Sequence, residues 1–179
     1  MSTTVPELSP RAREVVDAAR ELLESEGPEA FTMRRVAERL GIRAPSLYNH
    51  LPDKETIETA IIAEGFVESA ERFEAAVAAD RRRPLRALAR AYRAFAREHP
   101  HLYRLMTEQP LRRDLLPPGV EDRAAAPLVA VAGSVDRARA VWAFAHGMTI
   151  LELNGRFPAD ADLDRAWREG IRAFERPAR

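Results

Sequence analysis

The stretch FTMRRVAERLGIRAPSLYNHLPDKE, Phe31 to Glu55, decides the fold. Thr32 is placed to cap a helix, its side-chain oxygen accepting from a backbone N–H in the first turn. Val36, Ala37 and Leu40 then fall on one helical stripe. Gly41 follows the last apolar position, where a left-handed residue closes helices. Pro45 suits the first turn of a second helix, where its missing N–H costs nothing. That second helix is expected to carry Ser46, Leu47, Tyr48, Asn49 and His50 until Pro52 stops it. Two helices joined by a glycine turn form the unit that lays its second helix into the major groove of DNA.

Charge inside the stretch agrees. Residues 31–54 hold Arg34, Arg35, Arg39, Arg43 and Lys54 against Glu38 and Asp53, a net +3 between acidic flanks of −4 (residues 1–30) and −6 (residues 55–80). Phosphate neutralisation supplies much of the affinity for DNA, and this is where the N-terminal part concentrates cations. The competing reading is an αα-corner with a solvated arginine face. Arg43, Ala44, Pro45, Ser46 and Asn49 lie at the leading end of the second helix, where side chains reach base edges. Arg43 suits guanine and Asn49 suits adenine. Arg34 and Arg35 are candidates for phosphate contacts.

The run GIRAPSLYNHLPDKE resembles the recognition-helix segment of the TetR family of bacterial transcriptional regulators. Gly41, Ile42, Leu47, Tyr48, His50, Lys54 and Glu55 match the family pattern. Leu51 departs from the usual Phe, and Arg43 stands where Ser or Thr often caps the helix. The resemblance implies that Thr32, Tyr48, His50 and Lys54 hold phosphates and fix register. It also implies a three-helix DNA-binding domain, and Phe31 and Met33 are read as residues sealing its core.

Working upstream, residues 1–8 are expected to form an arm. Ser9-Pro10 then opens a helix whose stripe is Val15, Val16, Ala19, Leu22 and Leu23, ending at Gly27-Pro28. Downstream, Asp53 caps a long helix running to about Ala79, with Ile57, Ile61, Phe66, Val67, Phe73 and Val77 on one side and Glu64, Glu68 and Glu71 on another. The next helix begins near Pro84 and carries Arg86, Arg90, Arg93 and Arg97 in a row, with Leu85, Leu88, Tyr92 and Phe95 inward. The arginine row is expected to face the glutamates of the preceding helix, an anion surface being the competing reading, and Arg81-Arg82-Arg83 reads as a solvated junction. His99-Pro100 breaks the helix, a short one follows over about 100–108, and an irregular connection leads to an alanine-rich helix over 120–132. Ser134 caps a further helix ending at Asn154-Gly155. Asp160 or Asp162 starts the last. The fold class expected is all-α, about nine helices, with a helix-turn-helix domain in residues 1–54 and a helical ligand-binding and dimerisation domain in residues 55–179.

The last two amphipathic helices offer Ala138, Val141, Ala145, Met148, Glu152, Trp167, Ile171 and Phe174 as a homodimer interface, packing within one subunit being the alternative. The segment AVWAFAHGMTILEL also resembles a TetR-family C-terminal domain, the type named for its Trp-His-Gly motif, at Trp142, His146 and Gly147, with Leu151 and Glu152 fitting its tail. That resemblance implies a small-molecule pocket among the helices. Tyr92, Phe95, His99, Tyr103, Met106, Trp142 and His146 have the composition such a pocket needs, apolar walls with a few polar tips, which is also the composition of an ordinary core.

Composition bounds the remainder. The chain has 179 residues, 46% of them apolar and 31% charged, no cysteine, and a formal net charge of zero. A disulfide framework and a cysteine metal site are excluded. Any attraction to nucleic acid is local. No signal peptide or long apolar run occurs, so the cytoplasm is the expected address and no membrane partner is expected. His99, His101, His146 and Glu152 are the residues an enzyme reading would use. They lack metal-ligand spacing, no nucleophile motif or phosphate-binding glycine loop occurs, and no cofactor, metal or catalytic residue is expected. The expected protein is a homodimeric repressor on a palindromic double-stranded operator, released by an unidentified small-molecule effector. A DNA-bound regulator or scaffold that needs no ligand is the alternative.

Overall fold

A computed structural model describes residues 8–175 of the chain; all but the last residue of the expected N-terminal arm lies outside them. Among the described residues there are nine helices and no strand. The described residues form two compact units, and the division falls inside the fourth helix, between the fifth and sixth, and early in the seventh. One unit comprises residues up to Val67 with His99–Glu121, the other Glu68–Glu98 with residues from Asp122 onward.

In the first unit, α1 (Pro10–Glu26) begins as its sequence dictates. Ser9 Oγ accepts from the Ala12 N–H, Pro10 occupies the first turn, and Gly27 ends the helix at φ +85°. Helix α2 (Met33–Arg39) is capped by Thr32, whose Oγ1 accepts from the Arg35 N–H at 3.3 Å. Gly41 takes φ +65°, a conformation an L-residue adopts only at a cost, and so turns the chain into the next helix. Helix α3 (Ala44–Leu47) has only four residues. The expected helix continuing through His50 is therefore corrected: residues 48–50 form hydrogen-bonded turns, with His50 and Leu51 N–H both donating to the Leu47 carbonyl. Pro52 and the buried Leu51 leave no room for a further helical turn.

Helix α4 (Lys54–Ala79) is capped by Asp53, whose Oδ1 accepts from the Thr56 N–H at 2.7 Å and its hydroxyl at 2.8 Å. These two bonds, with Arg112 adding a smaller effect, hold the Asp53 carboxyl below the usual carboxylate range. Val15, Val16, Leu23, Phe31, Val36, Leu47, Ile57, Ile61 and Leu102 fill one core, each under 2% exposed. Each such burial contributes roughly 1.5–3 kcal/mol. The short α6 (Pro100–Thr107) packs on α1.

In the second unit, α5 (Pro84–Glu98) packs against α8 (Val135–Leu153) and α9 (Leu163–Glu175), with α7 (Val120–Ala132) preceding them. Leu85, Leu88, Tyr92, Phe95, Val141, Ala145, Trp167 and Ile171 form its core. The arginine row of α5 does not meet the glutamates of α4, as its spacing led one to expect. Arg86 holds Glu175, Arg93 holds Glu152 and Asp164, and Arg97 reaches Glu152, all on α8 or α9, while Arg90 pairs with Asp80. The α4 carboxylates are taken elsewhere: Glu64 by Arg13, Glu68 by Arg72 and Glu71 by Arg123. Pairing within the fold was legible, the partner helix was not, because a charge row carries no address.

Candidate nucleic-acid interface

The turn after Gly41 sorts its side chains cleanly. Leu47 and Leu51 are buried and anchor α3 to the core, so Arg43, Pro45, Tyr48, Asn49 and His50 face outward. Tyr48 is 50% exposed, its ring and hydroxyl both open to solvent. Arg43 caps α3 with backbone only and makes no side-chain cap bond. Among the described residues Arg43, Tyr48, Asn49 and His50 have no side-chain partner, so their donors and acceptors point to solvent. Ala44 and Ser46 are half-buried beside them.

The other cations of the basic island are already engaged. Arg35 pairs with Glu26 at 2.8 Å, Arg39 with Glu21 at 2.7 Å and Arg34 with Glu38 at 3.4 Å. Lys54 pairs with Glu58 at 3.2 Å and sits 4.7 Å above the Phe31 ring, which fixes its stem. Thr32 keeps its hydroxyl proton for an outside acceptor, since its oxygen only accepts from Arg35. The +3 of the sequence is thus largely neutralised at contact distance. The unpaired cation within the turn is Arg43.

The residues expected around a small-molecule pocket are divided between the two units. In the second unit Tyr92 stacks on Phe73 at 5.8 Å and Phe95 lies under the Arg72 guanidinium at 5.4 Å, both buried. Trp142 is 48% exposed and tilted against His146 at 6.1 Å. In the first unit His99 Nδ1 lies 3.0 Å from Glu24, Tyr103 is buried, and the Met106 thioether rests against Gly65. A cleft of about 300 Å³ exists in the second unit, and none of the seven candidates lines it.

Of the eight residues expected between subunits, Ala138, Val141, Ala145, Trp167 and Ile171 are buried inside the subunit, and Met148 and Phe174 are half-buried. Glu152 is held by two Arg93 bonds at 2.8 and 2.9 Å and by the Trp167 indole N–H at 3.4 Å. Burial pushes its carboxyl up, but Arg93, Trp167 and Arg97 outweigh that and leave it below the ordinary value. On α8 Val135 and Trp142 stand exposed on one side, and Leu151, nine residues on, stands exposed about half a turn round the helix from Trp142.

A capped helix, a glycine turn at positive φ, and a short second helix anchored by two leucines with its polar end outward define a helix-turn-helix DNA-binding regulator. Residues 15–61 match the family described as bacterial regulatory proteins, tetR family, and residues 85–174 match the tetracyclin repressor-like C-terminal domain. The chain is 31% identical over 169 residues to the HTH-type transcriptional regulator Rv0681 of Mycobacterium tuberculosis, covering 88% of this chain and 76% of that protein. Its fold is shared by the multidrug binding protein EbrR in complex with imidazole (TM-score 0.68, 22% identity, 96% of this chain and 97% of that one). It is also shared by a single-residue variant of TetR from Acinetobacter baumannii AYE in complex with minocycline (TM-score 0.63, 22% identity, 94% of each chain). The protein belongs to the TetR family of DNA-binding transcriptional regulators. No helix among its described residues is long and apolar enough to cross a membrane.

Proposed function

We propose that the protein is a homodimeric repressor that binds a palindromic operator through α3 and the turn following it, and that a small molecule releases it. The observation that carries the DNA-reading assignment is the outward, unpartnered set Arg43, Tyr48, Asn49 and His50 above the buried Leu47 and Leu51. Arg43, Ala44, Ser46 and Asn49 read base edges, Arg43 by a two-pronged bond to guanine. Thr32, Tyr48, His50 and Lys54 hold phosphates, and Arg34 and Arg35 join them when their carboxylate pairs yield.

The homodimer forms through the α8 side that exposes Val135 and Trp142, and the buried α8 and α9 residues support it from beneath. We place the DNA-reading function in residues 1–54, ligand and dimer functions in residues 55–179, and the C-terminal part in the Trp-His-Gly type. The two ligand-bound relatives support a pocket among the helices here, with Tyr92, Phe95 and His146 of the second unit as its first candidate walls. A ligand acts to the extent that it prefers the DNA-free arrangement of the dimer. The protein works in the cytoplasm and performs no catalysis. Selection from a random duplex library tests the reading: a palindrome with half-site centres about one helical turn apart is expected. Recovery of no enriched sequence at low ionic strength would reject it.

A further inference from the structure

We infer that the cleft in the second unit is a binding site for a small organic anion, a carboxylate carried on a flat apolar body, distinct from the pocket proposed above. The cleft holds about 300 Å³, the lower end of the range for small-molecule sites. It is built where the turn before α5, the end of α7, the start of α8 and the end of α9 meet. Leu85, Val131 and Phe174 give it apolar walls. Its charge comes from Arg82, Arg83 and Arg137, set against the one carboxylate of Glu175.

Three features make this more than a solvated arginine surface. Glu175 is already bound by Arg86 through three contacts of 2.7–3.0 Å, so it does not cancel the cleft's charge. The Arg137 guanidinium donates to the Phe174 carbonyl, which holds it at the rim. Arg82 and Arg83 have no carboxylate partner among the described residues. An inorganic anion would use the arginines and leave the apolar walls wet; a neutral aromatic would do the reverse. A carboxylate on an apolar body uses both.

Titration calorimetry of the full chain with 2-naphthoate and its neutral isostere 2-naphthamide tests this. Naphthoate is expected to bind at least tenfold more tightly than the amide, the factor for a charge-assisted bond being about that size. The R82A/R83A double variant should lose about tenfold for naphthoate and nothing for the amide. Both side chains are exposed and unpaired, so the variant should melt at the wild-type temperature. Equal affinity for the two probes, naphthoate binding undiminished in the double variant, or no naphthoate binding at millimolar concentration would each overturn the assignment. None of these outcomes bears on DNA recognition.

Discussion

The Arg39 guanidinium closes on the Glu21 carboxylate at 2.7 Å, joining α2 to α1 across 18 residues of sequence. The pair is exposed and contributes at most about 1 kcal/mol to stability. Its larger effect is to withdraw a cation from the basic island. Glu21→Gln should release Arg39 for a phosphate. Binding to random DNA at low salt should strengthen, and the slope of log affinity against log salt should steepen by about 0.9. A slope equal to wild type would mean that Arg39 cannot reach the duplex.

Arg43 and Tyr48 should separate by the kind of binding each supports. Tyr48→Phe removes a phosphate donor and should weaken all duplexes alike, whereas Arg43→Ala should relax preference at one base pair by about 1–3 kcal/mol. Competition binding with single-base operator variants distinguishes them. Uniform loss in both would undo the assignment.

Glu152 lies 13% exposed beneath Arg93, and its carboxyl is held below the unfolded value of 4.5. A depressed carboxylate adds stability that is present above the unfolded pKa and lost as pH falls through the folded one. Glu152→Gln should therefore cost about 2 kcal/mol at neutral pH, the value of hydrogen bonds to a charged group. The gap to wild type should shrink steadily below pH 4.5. Urea melts from pH 7 to pH 3 give the readout, and a constant gap would argue for lost packing alone.

Gly170 and Gly65 offer a paired test of packing. A methyl at Gly170 would run into the Phe144 ring, which is itself wedged between Trp167 and Phe174 at 5.7 and 5.8 Å. Gly170→Ala should lose about 1–3 kcal/mol to overpacking, more than the roughly 1 kcal/mol that alanine adds in helix propensity. At Gly65 the obstacle is the Met106 thioether at 2.6 Å, on a chain that can swing aside. Gly65→Ala should cost less. Thermal melts in which the two variants rank in the opposite order would contradict this account of the α8–α9 contact.

Trp142 stands 48% exposed on α8, on the same side as Val135 at 49%. Replacing Trp142 with Glu should convert a dimer to a monomer at micromolar concentration, measured by light scattering, with little change in helical content, whereas Leu151→Glu on the other side of the helix should leave the dimer intact. A wild-type monomer would remove the premise.

The helix starts were legible because each depends on a local side chain: Ser9, Thr32, Asp53, Ser134 and Asp162 all accept from the backbone three residues on. Arg43 was marked as uncapped by its residue type, and α3 makes no side-chain cap bond. The short length of α3 was hidden, since Tyr48, Asn49 and His50 suit a helix or a turn equally well. Partners distant in sequence were also hidden. Nothing in the spacing of Arg86 or Arg93 names Glu175 or Glu152, and the cleft draws its walls from four segments, so no window of sequence contains it. The division of α8 into a covered and an open side was half visible: the apolar positions were evident, but which of them face inward depends on where α5 and α9 lie.

The brevity of α3 limits its vocabulary. Four residues of helix extend about 6 Å, less than two base steps of a B-form duplex. One copy of so small a probe spells a word that recurs throughout any bacterial chromosome. The proposed pairing of copies makes the address a long one by fixing the gap between two short words, so a change that only alters that gap can erase the address while leaving every letter-reading contact intact.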